Sequence, residues 1–235
     1  MSNIAYTLIP DSALPAALGL IVLQTDETLE PEFKRSFADH PSPIYASRIP
    51  SGAEVTTESL SGMEDHITAS AGLLPKTLTY PVVGYGCTSA SSIIGSERVE
   101  QLVQKSCNAV MVTNPLRAAT AFAHHKGVSK LAMLSPYIEE VNVPLRNAFQ
   151  AAGLSTDVFG TFGEAQEAKV ARITTDSVVE AATSLGSDNN VEGVFLSCTN
   201  LKTFNAIPII REMINKPVFS SNYALAWHMK RIAGE

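Results

Sequence analysis

Val82-Val83-Gly84-Tyr85-Gly86-Cys87-Thr88-Ser89 is an apolar run that ends in small residues, a cysteine and two hydroxyls, and the pattern returns as Gly193-Val194-Phe195-Leu196-Ser197-Cys198-Thr199-Asn200. Each copy reads as a buried strand of a parallel sheet, then a small residue, Cys-Thr, a polar residue and a helix. Recurrence of the unit indicates two α/β halves of similar design, and two copies so far apart exclude a solenoid. Around them, short apolar runs alternate with longer stretches of helical period. Strands are expected at Leu18–Gln24, Pro43–Ile49, Tyr80–Gly84, Ala109–Val112, Leu131–Leu134, Thr156–Phe159, Val191–Leu196 and Pro217–Phe219. Helices are expected at Glu54–Leu73, Ser96–Ser106, Asn114–His125, Ile138–Ala152, Thr175–Leu185 and Leu201–Ile214. The fold expected is α/β, with two halves of similar design built on parallel sheets. The N-terminal half is drawn as residues 1–113 plus 221–235 and the C-terminal half as 114–220, with the helix Asn222–Ala233 returning to the first half.

The chain has 235 residues, of which 45% are hydrophobic and 17% charged, a globular composition that sets disorder aside. Seventeen basic against 23 acidic residues give a net charge of -6 with no basic run. The electrostatic footprint for nucleic acid or anionic membrane is therefore missing, and a small-molecule role gains weight. Three cysteines build no disulfide framework and lack the paired short spacing of zinc sites, so no metal is expected and the cytoplasm is the simpler address. No lysine or arginine precedes Lys34, and no stretch reaches the roughly 18 apolar residues of a membrane span. Neither G-x-G-x-x-G, a Walker loop nor G-x-S-x-G occurs, so nucleotide binding and α/β-hydrolase chemistry lack support.

Parallel sheets bind ligands at the carboxyl ends of their strands, where helix N-termini offer free N–H groups. Cys87 and Cys198 stand at such positions, where the partial positive charge of a helix end should lower a thiol pKa and prepare a base or nucleophile. The hydroxyls of Thr88, Ser89 and Thr199 and the Asn200 amide can donate to a substrate carboxylate, so anion binding needs no arginine. A single cysteine after a strand is more often core than catalyst, but two in matching contexts outweigh that. Cys107, in Lys105-Ser106-Cys107-Asn108, lacks the hydroxyl neighbour and reads as core. His124 and His125 close a helix, where the dipole favours them; His228 beside Trp227 reads as packed or exposed, and His40 and His66 have no partner spacing.

Five motifs in order carry a family resemblance: Gly19-Leu20-Ile21-Val22-Leu23-Gln24-Thr25-Asp26-Glu27-Thr28, Tyr85-Gly86-Cys87-Thr88-Ser89, Ser135-Pro136-Tyr137, Phe195-Leu196-Ser197-Cys198-Thr199-Asn200-Leu201 and Ser220-Ser221-Asn222. With them the chain resembles the aspartate/glutamate racemase superfamily, in its maleate cis-trans isomerase and arylmalonate decarboxylase branch. Within that branch the motifs most resemble racemase-like proteins associated with ectoine utilisation. The resemblance implies two pseudosymmetric Rossmann-like or flavodoxin-like halves with parallel sheets, and a cofactor-independent active site in the cleft between them with one cysteine on each side of a bound carboxylic acid, at Cys87 and Cys198. It also implies that Tyr137 hydrogen-bonds a substrate carboxylate. Arylmalonate decarboxylases carry glycine where Cys87 stands, so two thiols favour isomerisation over decarboxylation. Where maleate isomerases have an asparagine after the first strand, this chain has Asp26, which would repel a carboxylate and could pair with a substrate ammonium or act on a thiol. Asp26 could equally cap the helix near Glu30.

The expected function is thus isomerisation or racemisation of a small carboxylic acid, amino acid or maleate-like. The alternatives are a lyase in which Cys198 protonates the enediolate left by decarboxylation, and a non-enzymatic small-acid binding module. The resemblance also allows a homo-oligomer.

Overall fold

The computed structural model describes residues 3–235. Eight strands form two four-stranded parallel sheets of the same winding. Strands β1 (Leu18–Leu23), β2 (Ile44–Ile49), β3 (Tyr80–Gly86) and β4 (Ala109–Thr113) assemble in the order β2-β1-β3-β4. Strands β5 (Lys130–Tyr137), β6 (Ser155–Glu164), β7 (Gly193–Leu196) and β8 (Val218–Ser220) repeat it as β6-β5-β7-β8. The central strands are continuous apolar runs because helices cover both faces; β1 and β7 are buried at every residue. The register pairs Val22 with Gly86 and Leu134 with Leu196, which brings the loops after β1 and β3, and those after β5 and β7, to one rim.

The last helix of each sheet's set reaches across to the other sheet. The helix Pro115–His125, which follows β4, sets Phe122 against Phe219 of β8 at 4.8 Å between ring centroids. The helix Ser221–Ile232, which follows β8, presses Met229 onto β3 at Gly84, where a Cβ would lie 2.6 Å from the Met229 sulfur. This exchange joins the apolar layer beneath the two sheets into one cluster running from Leu18 and Leu20 through Phe122 to Phe195 and Leu225. No helix among the described residues is long and apolar enough to cross a membrane.

All eight expected strands are present, but the helices depart from expectation in two places. The stretch Glu54–Leu73 forms two helices, Thr57–Gly62 and Glu64–Ala71. The first starts late because Thr56 and Ser59 exchange side-chain-to-backbone hydrogen bonds at 3.0 Å in a capping box. The helix expected from Leu201 begins only at Ala206, since the N–H groups of Thr203 and Phe204 donate to Glu32 Oε1 at 2.8 and 2.9 Å. The second Cys-Thr pair therefore leads into a loop. Strand β6 runs on to Glu164, beyond the expected Phe159, because it stays paired with β5 as far as Tyr137.

Gly86 allows the end of β3 to approach the first helix: a Cβ there would sit 2.3 Å from Leu29 Cδ2 and 3.0 Å from the Ile21 carbonyl oxygen. Gly86→Ala is expected to lower stability by about 1–3 kcal/mol through overpacking. Urea unfolding checks this, and a midpoint equal to that of the wild type would contradict the close approach.

Candidate active site

Cys87 follows β3 directly, in an extended conformation, and caps the helix Thr88–Ile94, its sulfur accepting the Ala90 N–H at 3.4 Å. Cys198 lies two residues beyond the equivalent strand, β7, with φ +99°, a region costly for a residue with a side chain. Two bonds hold that geometry: the Cys198 N–H donates to Ser221 Oγ at 3.0 Å, and its sulfur accepts the Asn200 N–H at 3.2 Å. Ser221 Oγ also accepts from Thr88 Oγ1 at 2.8 Å, so one serine hydroxyl ties together the loops that carry the two cysteines.

Both thiols face one cavity of about 10 Å³, room for about one water molecule. Cys87, Thr88 and Ser89 line one side, Tyr137, Glu167, Cys198 and Thr199 the other, and Leu23 and Leu60 close it. Tyr137 Oη lies 2.9 Å from Cys198 Sγ and donates to Glu167 Oε1 at 2.7 Å. The Asn200 amide donates to Glu167 Oε2 at 2.7 Å, while its own oxygen accepts the Glu27 N–H at 2.9 Å. A larger hollow of about 230 Å³, edged by Arg35 and Lys202, receives neither thiol.

Among the predicted residues, Cys87, Thr88, Ser89, Tyr137, Cys198 and Thr199 meet at this cavity, and Asn200 reaches it through Glu167. Asp26 stands just behind, 3% exposed. Its Oδ1 accepts the N–H groups of Thr28 and Leu29, both at 2.8 Å, and its Oδ2 has no hydrogen-bond partner among the described residues. Half of this carboxylate is thus a helix cap and half is unspent. Cys107 and the histidines lie outside the cavity; His228 pairs with Thr113 Oγ1 at 2.7 Å.

Glu167 is the residue that sequence reasoning missed. It follows β6 at the start of the short helix Glu167–Val170, 4% exposed. Its segment is held to the other half by an antiparallel bridge, in which the Glu167 N–H donates to the Ala53 carbonyl at 3.0 Å and the Val55 N–H to the Ala165 carbonyl at 2.8 Å.

The expected lowering of the thiol pKa values is overturned. Burial pushes the Cys87 thiol up to about 12, with the Ala90 N–H only partly offsetting it and the charges of Glu167 and Asp26 adding to it. Burial likewise raises Cys198 well above its ordinary value, and Glu167 and Asp26 add again; with no helix at Cys198, one source of the expected lowering is also missing. The carboxyls of Glu167 and Asp26 are themselves raised, chiefly by desolvation.

A family model described as arylmalonate decarboxylase matches residues 18–235. The arylmalonate decarboxylase of Bordetella bronchiseptica is 30% identical over 124 residues, a stretch amounting to 52% of this chain and 49% of that protein, so the match spans about half the length of the curated relative. A variant of the maleate isomerase Iso from Pseudomonas putida S16, solved with maleate, superposes with a TM-score of 0.80 at 19% identity, covering 91% of this chain and 90% of that one. A Nocardia farcinica maleate cis-trans isomerase variant with a covalently bound succinylcysteine intermediate gives a TM-score of 0.80 at 20% identity, covering 92% of each chain. These structures share the fold of two four-stranded parallel sheets.

Because its folded pKa is raised, the neutral form of Glu167 contributes stability that is fully present below the unfolded value of about 4.3 and is lost as pH rises through the folded value. Glutamine imitates the neutral acid at every pH. The difference in Tm between Glu167→Gln and wild type is therefore expected to grow more positive from about pH 5 to about pH 8. A difference independent of pH, read by circular dichroism melts, would contradict the buried carboxylate.

Proposed function

The chain belongs to the arylmalonate decarboxylase family, and we propose that within it the protein is a cofactor-independent isomerase or racemase of a small carboxylic acid, with Cys87 and Cys198 as its opposed reacting groups. The observation that carries this reading is that two thiols, delivered by equivalent strand ends of two similarly wound sheets, face the same buried cavity. A decarboxylase needs one of them as proton donor; chemistry on two faces of a carbon needs both.

For racemisation, a thiolate on one side removes the α-proton, and the opposite thiol delivers a proton to the other face of the carbanion. For a cis-trans alkene, the thiolate adds to the conjugated carbon, the new single bond rotates, and the sulfur leaves as the double bond re-forms. The succinylcysteine of the Nocardia relative supports the second route as chemistry available to this fold. In both routes negative charge grows on the substrate carboxylate and is met by hydroxyls and N–H groups at the cavity rim. Tyr137 and Asn200 already grip one carboxylate, that of Glu167, by both of its oxygens, which is the geometry a substrate carboxylate would use. A cavity of about 10 Å³ does not admit even a small acid, so binding requires the surrounding loops to move outward.

Substrate choice follows from charge. No lysine, arginine or histidine lines the cavity, while Glu167 and Asp26 bring two acids to it. A dianion such as maleate is disfavoured there, and an amino-acid-like acid, whose ammonium can pair with the unspent oxygen of Asp26, is favoured. In this reading Asp26→Asn weakens binding of an amino-acid substrate and strengthens binding of maleate, whereas a purely capping role leaves both unchanged, because Asn caps about as well as Asp. Calorimetry with aspartate and maleate reads the difference.

The direct test is loss of the pair. Cys87→Ser and Cys198→Ser are each expected to cut turnover by roughly 10²–10⁴-fold with the fold intact. Full activity in Cys87→Ser together with CO₂ release from a disubstituted malonate would establish the decarboxylase instead. Saturable acid binding that survives loss of both thiols, with no turnover, would mark a binding module.

A further inference from the structure

A two-thiol reaction must begin with one thiolate, and a thiol raised by burial needs a proton acceptor within hydrogen-bond reach. We propose that Cys198, Tyr137 and Glu167 form a proton relay that charges Cys198 by passing its proton, through the tyrosine hydroxyl, to the Glu167 carboxylate. The inference rests on the two-thiol reading for its purpose and on hydrogen-bond geometry for its content.

Tyr137 Oη carries one hydrogen and has two partners, Glu167 Oε1 at 2.7 Å and Cys198 Sγ at 2.9 Å. An ionised Glu167 can only accept, so the tyrosine hydrogen belongs to it, and the thiol must then donate to the tyrosine oxygen. The chain S–H to Oη–H to Oε1 thus points one way before any transfer. In the step itself the S–H bond breaks as a new O–H bond forms on Tyr137, and the original Tyr137 O–H bond breaks as an O–H bond forms on Glu167. The tyrosine ends as it began, and the negative charge has moved from carboxylate to sulfur. There the thiolate accepts the Asn200 N–H, 3.2 Å away, and the hydroxyl that Tyr137 now turns back to it. The Asn200 amide, bonded to the other oxygen of Glu167, keeps the acceptor aimed at the tyrosine.

Cys87 has no such chain among the described residues: its sulfur accepts the Ala90 N–H at 3.4 Å, and no hydroxyl or carboxylate of theirs is in hydrogen-bond contact with it. The relay therefore makes the pair unequal. Cys198 is the thiol that the relay charges in the free protein, and Cys87 is the one that holds its proton until substrate takes it. The titratable groups facing Glu167 are Tyr137, Cys198, Cys87 and Asp26, all acids, so no cation competes for the proton.

The relay reverses the sign of an ordinary charge effect, which makes it testable without substrate. As a mere negative neighbour, Glu167 holds both thiol pKa values up, and its removal would speed alkylation of both. The experiment follows iodoacetamide alkylation by intact mass across pH in the full-length Cys87→Ser/Cys107→Ser protein, where Cys198 is the one thiol, with Glu167→Gln or Tyr137→Phe added. Each addition is expected to slow alkylation of Cys198 near pH 7 by at least about threefold and to shift its profile to higher pH. In the Cys107→Ser/Cys198→Ser protein, Glu167→Gln is expected not to slow alkylation of Cys87. Slowing of less than threefold, no change, or acceleration at Cys198 overturns the relay. If Glu167→Gln fails a circular dichroism check of folding, Glu167→Asp decides by the same threshold, since it keeps the negative neighbour but withdraws the acceptor from Tyr137. Failure of the two-thiol reading would appear separately, as turnover that survives loss of a cysteine.

Discussion

The cavity between the sheets holds two thiols, a tyrosine and the carboxylate of Glu167, with a second carboxylate at Asp26 just behind and no basic side chain in its lining. Arg48, which donates to the Asp26 carbonyl oxygen at 3.0 Å, is a cation beside that second acid, but burying acids stays costly unless hydrogen bonds satisfy them or they take up protons. Both remedies are present: Tyr137 and Asn200 grip Glu167, backbone N–H groups grip one oxygen of Asp26, and desolvation raises both carboxyls. Protons are thus shared among groups of similar reluctance to ionise, which is the setting in which acid–base chemistry on a weak carbon acid is run.

The fold supplies this cavity by repetition. Two sheets wound in one order place equivalent strand ends opposite each other, and the exchanged helices Pro115–His125 and Ser221–Ile232 lock the sheets together through Phe122 on Phe219 and Met229 on Gly84. Ser221, at the start of one exchanged helix, bonds to both Thr88 and Cys198, so the element that joins the sheets also sets the spacing of the two cysteine loops. The symmetry stops at the hydrogen bonds. Cys87 keeps the helix end that the repeated motif promises, whereas Cys198 sits on a left-handed residue in a loop and gains a tyrosine and a carboxylate instead.

The strands and the cysteine pair were legible because fully buried strands are written as continuous apolar runs and because the Cys-Thr motif recurs at their ends. What failed to show were effects of distance. Glu32, some 170 positions before Thr203, takes the N–H groups that would have begun a helix after Cys198. Glu167 belongs to no motif and reaches the thiols only because β6 outruns its apolar segment and the bridge at Glu54 and Gln166 turns the chain inward. The direction of the thiol pKa values was misread for a related reason: a sequence displays a helix terminus next to a cysteine but not the depth at which the cysteine is buried. Asp26 was readable as either cap or charge; one of its oxygens accepts the N–H groups of Thr28 and Leu29 at the start of a helix, and the other has no hydrogen-bond partner among the described residues.

The central claim is that the two thiols transfer protons, or add to a double bond, at a bound small acid. Incubation of the wild-type protein in D₂O with a panel of amino acids, hydroxy acids and maleate, followed by proton NMR, addresses it in one measurement. The account predicts deuterium at the α-carbon of at least one amino-acid-like acid, or geometric conversion of an unsaturated one, with no loss of CO₂. Ligands that bind yet show neither exchange nor conversion, or that lose CO₂, would contradict it.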